Sequence, residues 1–146
     1  MDLIEREKSR TLSCILLIGD DISSNYLHQM TIRSCGFEHY IHTSRSAEEA
    51  LEFLSFNTVY QVGNDLPRPG LIILDANLPR MGANDFVEEF RKLPFETQSN
   101  CMITLTTAVH DIDNHEHIKH IPEITKVLPK PLSKDLIEAL IQEYHK

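Results

Sequence analysis

Two short apolar runs end in carboxylates, and that feature limits the folds open to the chain more than any other. Leu71-Ile72-Ile73-Leu74 leads into Asp75, with Pro69-Gly70 before it and Asn77-Leu78-Pro79 after. Cys14-Ile15-Leu16-Leu17-Ile18-Gly19 leads into Asp20-Asp21. Short aliphatic runs of this kind, bounded by breakers, read as strands buried on both faces, as central strands of a parallel sheet are. Their acids then lie at the carboxyl edge of the sheet, where open α/β folds place their sites. If the two strands are neighbours, three carboxylates converge. Their mutual repulsion calls for a cation or a proton between them.

The rest of the chain fits one α/β domain over residues 12–146, preceded by a charged leader over 1–11. The chain has 146 residues, 41% of them hydrophobic, enough for a real core. Its 22 acidic and 14 basic side chains give a formal net charge of −8, which argues against nucleic acid or an anionic membrane as the main partner. Cys14, Cys35 and Cys101 are widely separated and form no C-x-x-C pair, so they read as reduced thiols. The leader has no apolar stretch of signal-peptide type, and no run is long enough to span a bilayer. A cytoplasmic location is the expectation.

In chain order, the predicted strands are Ser13–Ile18, Tyr40–Thr43 as an edge, Leu71–Leu74, Cys101–Leu105 and Thr125–Leu128. Between them, Ser23 or Ser24 would cap a helix running to Cys35, with Tyr26, Leu27, Met30 and Ile32 on the sheet. Ser46 and Glu49 form a capping box for a helix fading by Asn57. Residues 58–70 read as a surface excursion of unassigned role. A third helix, about Asn84–Leu93, would turn Phe86, Val87 and Phe90 inward and stop at Pro94, with 95–100 as linker. The histidine-rich stretch from Val109 to Ile124 suggests only a weak helix around Asp113–His120, read as a solvated polar face. Ser133 would cap a last helix bearing Leu136, Ile137, Leu140 and Ile141. Strands alternating with helices give a doubly wound parallel sheet.

The carboxyl edge of that sheet would gather Asp20 and Asp21, Asp75, Thr106 and Lys130. Carboxylates suit a hard divalent ion such as Mg²⁺, with Asp21 and Asp75 as direct ligands, Asp20 acting through a water and the Asn77 backbone carbonyl as a neutral oxygen. An ionised Asp75 is a competent nucleophile toward phosphorus. Lys130 and the Thr106 hydroxyl can then stabilise charge on the phosphoryl oxygens. Pro131 permits a cis bond after Lys130. Asn77, two residues past Asp75, lies close to the path of a water attacking the phosphoryl group.

These pieces resemble the receiver domain of bacterial two-component response regulators. The acidic pair Asp20-Asp21, Leu74-Asp75 with Asn77-Leu78-Pro79, Gly82-Ala83, Thr106 and Lys130-Pro131 stand in family order over about residues 12–145. The resemblance, closest in style to single-domain chemotaxis-type regulators, implies a flavodoxin-like (βα)5 fold with strand order 2-1-3-4-5. It implies Mg²⁺-dependent phosphorylation of Asp75 by a histidine kinase or histidine phosphotransfer protein, with slow self-dephosphorylation rather than enzyme turnover. It also implies an output face made by the fourth and fifth strands and the helices after them, acting on a downstream target or passing the phosphoryl group onward. The chain departs from the family pattern at Val127, where a Tyr or Phe is usual, and at Ala83, where the loop usually has glycine. If the loop needs a positive φ at position 83, Ala would be strained there, and a one-residue shift to Gly82 would relieve it. The competing class is a receiver-like interaction module that works without phosphorylation. An aspartyl-phosphate hydrolase is disfavoured, because Asn77 stands where its second Asp would be.

Overall fold

The computed structural model describes residues 11–60 and 68–146; the leader up to Arg10 and residues 61–67 of the expected excursion lie outside it. Five parallel strands form one sheet in the order β2-β1-β3-β4-β5, the order that the resemblance implies. They are β1 (Cys14–Ile18), β2 (Tyr40–Ser44), β3 (Leu71–Asp75), β4 (Met102–Ala108) and β5 (Ile124–Lys130). All residues of β1 and β3 are buried. They pair directly, Ile15 with Leu71 through Ile18 with Leu74.

Alternation along these strands sorts the core into two slabs. Leu16, Ile18, Ile72, Leu74, Ile103 and Leu105 face one side. There they pack on α2 (Ala47–Tyr60) through Ala50 and Leu54, and on α3 (Ala83–Phe90) through Phe86, Val87 and Phe90. Ile15, Leu17, Leu71 and Ile73 face the other side. They meet Ile32 of α1 (Ile22–Ser34) and Ile137, Leu140 and Tyr144 of α5 (Lys134–Tyr144). Burying a Leu or Ile side chain stabilises by about 1.5–3 kcal/mol, so the two central strands carry a large share of the core energy.

The expected capping box forms with a one-residue variation. The Glu49 N–H donates to Ser46 Oγ at 3.1 Å, while the Glu49 carboxylate accepts the N–H of Arg45 at 2.8 Å. Ser133 caps α5 by accepting the Leu136 N–H. Several boundaries differ from expectation. The cap of α1 is Asp21, not Ser23 or Ser24; its carboxylate accepts both of their amides. A charged acceptor satisfies the positive helix terminus better than a hydroxyl does. α3 ends at Phe90 rather than Leu93, and Pro94 is not its terminator. Pro94 is instead the N-cap of a short additional helix, α4 (Phe95–Asn100), where a linker was expected. The histidine-rich stretch is a 3₁₀ helix over Val109–His120, longer than the segment predicted. Strands β4 and β5 run further than predicted and stay paired out to Ala108 and Lys130, past a register shift at Ile103/Thr104.

The phase of α1 is reversed from the predicted one. Tyr26, Leu27 and Met30 are exposed, and the buried face is Asn25, His28 and Ile32. Only Ile32 of the expected stripe meets the sheet. The left-handed position of the β3–α3 loop is Arg80, at φ 66°; Gly82 has φ −84° as the N-cap of α3 and Ala83 is the first helical residue. The loop needs no positive φ at position 83, so alanine there is unstrained.

At the opposite, amino edge of the sheet, Gly70 leaves no room for a side chain. A Cβ there would stand 2.6 Å from the Tyr144 hydroxyl oxygen and 2.8 Å from Leu12 Cδ1. Gly70→Ala is expected to lower unfolding free energy by about 1–3 kcal/mol, as overpacking does. Urea denaturation of the two proteins checks this, and equal midpoints would contradict it.

Candidate functional site

Asp75 ends β3 and is held at the carboxyl edge from three directions. In the sheet it stands opposite Thr106 of β4, and the next amide, Ala76 N–H, donates to the Thr106 carbonyl at 2.8 Å. Its Oδ1 accepts the Asn77 N–H at 2.9 Å, a local turn typical of Asp. Its Oδ2 accepts from Lys130 Nζ at 2.9 Å. Asp75 is only 8% exposed, so this charge-assisted bond compensates a carboxylate largely removed from water. Lys130 is the last residue of β5, and its bond to Pro131 is cis, the isomer that the sequence permits.

The Thr106 side chain is buried, and its hydroxyl donates to the Leu74 carbonyl at 3.5 Å. That is a long hydrogen bond, one the hydroxyl can exchange for a better acceptor. Its neighbour Thr107 is buried on the other face of β4, with no partner for its hydroxyl among the described residues.

The predicted metal ligands Asp20, Asp21, Asp75 and Asn77 all lie at this edge, but the three carboxylates do not converge. Among the described residues, no three His, Cys, Asp or Glu side chains are grouped so as to hold a metal ion. The reason is that each charge already has an answer. Asp21 Oδ1 accepts the Ser23 and Ser24 amides at 2.9 and 3.3 Å, and Oδ2 accepts the Ser24 hydroxyl. Those amide bonds, from Ser24 first and then Ser23, hold the Asp21 carboxyl below its ordinary pKa. Asp75 has Lys130, and Asp20 faces solvent. The donor chemistry still suits Mg²⁺: the candidate ligands are all oxygen, on exposed or rim positions, beside a backbone carbonyl at Asn77.

Two residues of the site were missed from sequence, Asn25 and His28. Asn25 is buried, and its Nδ2 donates to the Gly19 carbonyl at 2.8 Å, tying α1 to the loop that carries Asp20 and Asp21. A Cβ at Gly19 would lie 2.8 Å from Asn25 Oδ1, which explains the glycine. His28 is 5% exposed, and its Nε2 accepts the Leu132 N–H at 3.1 Å. These two residues line, with Asp75, Thr106 and Lys130, a cavity of about 10 Å³, room for one water at most. Asn25, His28 and Ile32 are spaced three and four apart and so share a helix face. That spacing was readable, but the more apolar residues beside it drew the assignment.

Burial pushes the His28 imidazole below its ordinary pKa of 6.5, partly offset by the Asp75 carboxylate, with Lys130 adding to the depression. A depressed histidine takes up its proton more readily in the unfolded chain. Its contribution is therefore complete above pH 6.5 and is lost as pH falls from there through the lower native value. Wild type is expected to lose stability more steeply than His28→Gln between pH 6.5 and 5, measured by denaturant titration. Parallel pH profiles would contradict this. For the ion pair, Lys130→Met, Asp75→Asn and the double variant should give a coupling of about 1–3 kcal/mol. Additive losses in the same titration would show that the pair is not coupled.

No family model matches the sequence. The chain is similar to response regulator Rcp1 of Synechocystis sp., with 27% identity over 107 residues that cover 73% of this chain and 70% of that protein. Among solved structures it is similar to a two-component response regulator from Cytophaga hutchinsonii, at TM-score 0.76 and 21% identity, covering 92% of this chain and 97% of that one. A response regulator receiver protein from Dyadobacter fermentans matches at TM-score 0.73 and 22% identity, over 90% and 96% of the two chains. The bacteriophytochrome response regulator RtBRR matches at TM-score 0.71 and 18% identity, over 92% and 78%. No described helix is long and apolar enough to cross a membrane.

Proposed function

From a chain that has the receiver fold of response regulators, we propose a phosphoacceptor switch in which Asp75 takes a phosphoryl group from a histidine kinase or a histidine phosphotransfer protein. The observation that carries this reading is the 2.9 Å contact of Lys130 Nζ with Asp75 Oδ2 at the carboxyl end of a central strand, with Thr106 directly alongside. A buried, ionised carboxylate with a placed cation and a lightly held hydroxyl is what an in-line attack on phosphorus requires.

The step balances simply. A carboxylate oxygen of Asp75 forms a bond to phosphorus as the bond from phosphorus to the donor's imidazole nitrogen breaks, and that electron pair leaves with the donor. No base is needed on this side, because the nucleophile is already ionised. Lys130 is placed to shift from the carboxylate toward a phosphoryl oxygen, and the Thr106 hydroxyl can leave its 3.5 Å bond to donate to another. Asp20, Asp21, Asp75 and the Asn77 carbonyl would hold Mg²⁺, which would supply further positive charge to the reacting groups. Asp21 would do so in competition with its capping bonds to Ser23 and Ser24.

The acyl phosphate carries about −1.5 to −2 charge at neutral pH. Movement of Thr106 toward it would act on β4, which is paired with β5 along its length. The output surface in this reading includes β4, the 3₁₀ helix, β5 and α5, and its partner is a downstream protein or a further phosphotransfer domain. Val127 lies opposite Leu105 and packs on the core. It has no ring to swing, so the change would be read through backbone and packing. The alternative of a phosphorylation-independent interaction module predicts the opposite outcome in the same test.

That test is incubation with acetyl phosphate or phosphoramidate, with and without Mg²⁺, read by intact mass. One phosphoryl addition is expected, requiring Mg²⁺ and abolished in Asp75→Asn. No addition, together with no binding of beryllium fluoride, would overturn the phosphoacceptor reading in favour of the interaction module.

A further inference from the structure

Helix α1 places polar side chains where its more apolar ones would ordinarily go. Tyr26, Leu27 and Met30 face solvent, whereas Asn25 and His28 are buried against the sheet. Each buried polar group reaches a backbone group of one of the two loops that frame Asp75. Asn25 holds the Gly19 carbonyl on the acidic side, and His28 holds the Leu132 amide on the lysine side. Leu132 follows Lys130-Pro131 and is itself buried against the α1–α5 side of the sheet.

We propose that His28 is a positioning residue for Lys130: its neutral imidazole accepts the Leu132 N–H and fixes the turn after β5, so that the Lys130 ammonium lies on Asp75. The inference rests on the phosphoacceptor reading for its consequence, but its structural half stands on the geometry alone. The direction of the bond defines the chemistry. A backbone N–H can only donate, so Nε2 must carry no proton and the ring's proton sits on Nδ1. An imidazolium could not accept this bond. Burial of the ring favours the neutral form that the role requires. An aliphatic side chain of similar bulk would fill the space but leave the Leu132 amide without its acceptor, and the lysine turn would be free to drift. Lys130 reaches Asp75 from the far side of β4, along a long flexible stem. Its placement therefore depends on the backbone from which it departs, and that backbone is tied down two residues later by His28.

Two variants and one background test this. His28→Leu removes the acceptor and keeps an apolar filling; His28→Gln restores an acceptor near the Nε2 position. With the full chain and phosphoramidate, His28→Leu is expected to slow phosphorylation about tenfold, as loss of an orienting partner does. His28→Gln should stay within about twofold of wild type on the same scale. In a Lys130→Ala background, His28→Leu should have no further effect, because the residue it positions is gone. Equal fold-losses with and without Lys130 would overturn the proposal, as would a wild-type rate in His28→Leu. The positioning is also read without phosphoryl chemistry. The Asp75–Lys130 stability coupling should vanish in His28→Leu and persist in His28→Gln; its persistence in His28→Leu would overturn the proposal. If wild type takes up no phosphoryl group and binds no beryllium fluoride, the phosphoacceptor reading fails, while this coupling still decides the role of His28.

Discussion

Everything in the molecule depends on the burial of β1 and β3 on both faces. A strand that presents aliphatic side chains up and down cannot lie at the surface, so helices must cover the sheet above and below. The register that pairs Ile15 with Leu71 and Ile18 with Leu74 then brings the ends of both runs to one edge. Within the sheet there is no room for charge. The polar groups that the chain carries in this region are pushed to the strand ends, where backbone pairing stops and side chains can meet from several elements. The site follows from where the hydrophobic layers finish.

At that edge, electrostatics decides the arrangement. Three acids close together would be costly, and the chain resolves this by giving each a different environment. Asp21 turns onto the amides of α1, Asp20 turns to water, and Asp75 takes Lys130 from across the one intervening strand, β4. A large part of the charge is thus neutralised within the protein itself. An incoming phosphoryl group or metal ion would meet an existing set of hydrogen bonds that must be rearranged. Such an exchange of partners is how a local binding event can alter a wider surface.

The central place of β1 and β3 and the edge residues were legible in the sequence because they follow from run length, apolar content and the breakers around Leu71–Asp75, whereas the full strand order followed only from the resemblance to receiver domains. The capping box of α2 was legible for the same local reason, since Ser46 and Glu49 carry their own geometry. The phase of α1 was not. Hydrophobicity ranks Tyr26, Leu27 and Met30 above Asn25 and His28, and only the loops at Gly19 and Leu132, distant in sequence, make polar residues the better choice for the buried face. α4 was missed because Pro94 both forbids continuation of a helix and favours the start of one; the local sequence alone does not choose between them. The left-handed residue Arg80 was hidden behind the neighbouring glycine, which drew attention to position 82. The missing convergence of the carboxylates shows the same limit. Spacing brought Asp20, Asp21 and Asp75 to one edge, but which partner each one takes is a property of the folded chain.

The Tyr144 hydroxyl donates to the Asn100 carbonyl at 3.0 Å and lies directly over Gly70. The ring is buried with Leu12, so the final turn of α5 is fastened to the end of α4 just before β4, to the entry to β3 and to the approach to β1 at once. The amino rim of the sheet behaves as a fixed base, like the clamped end of a row of reeds. The carboxyl rim, where polar side chains from several elements meet, has no such clamp above it among the described residues. Displacement of β4 or β5 at the site would grow with height above this base rather than shift the whole layer. The lever arm of any conformational response is then the length of a strand.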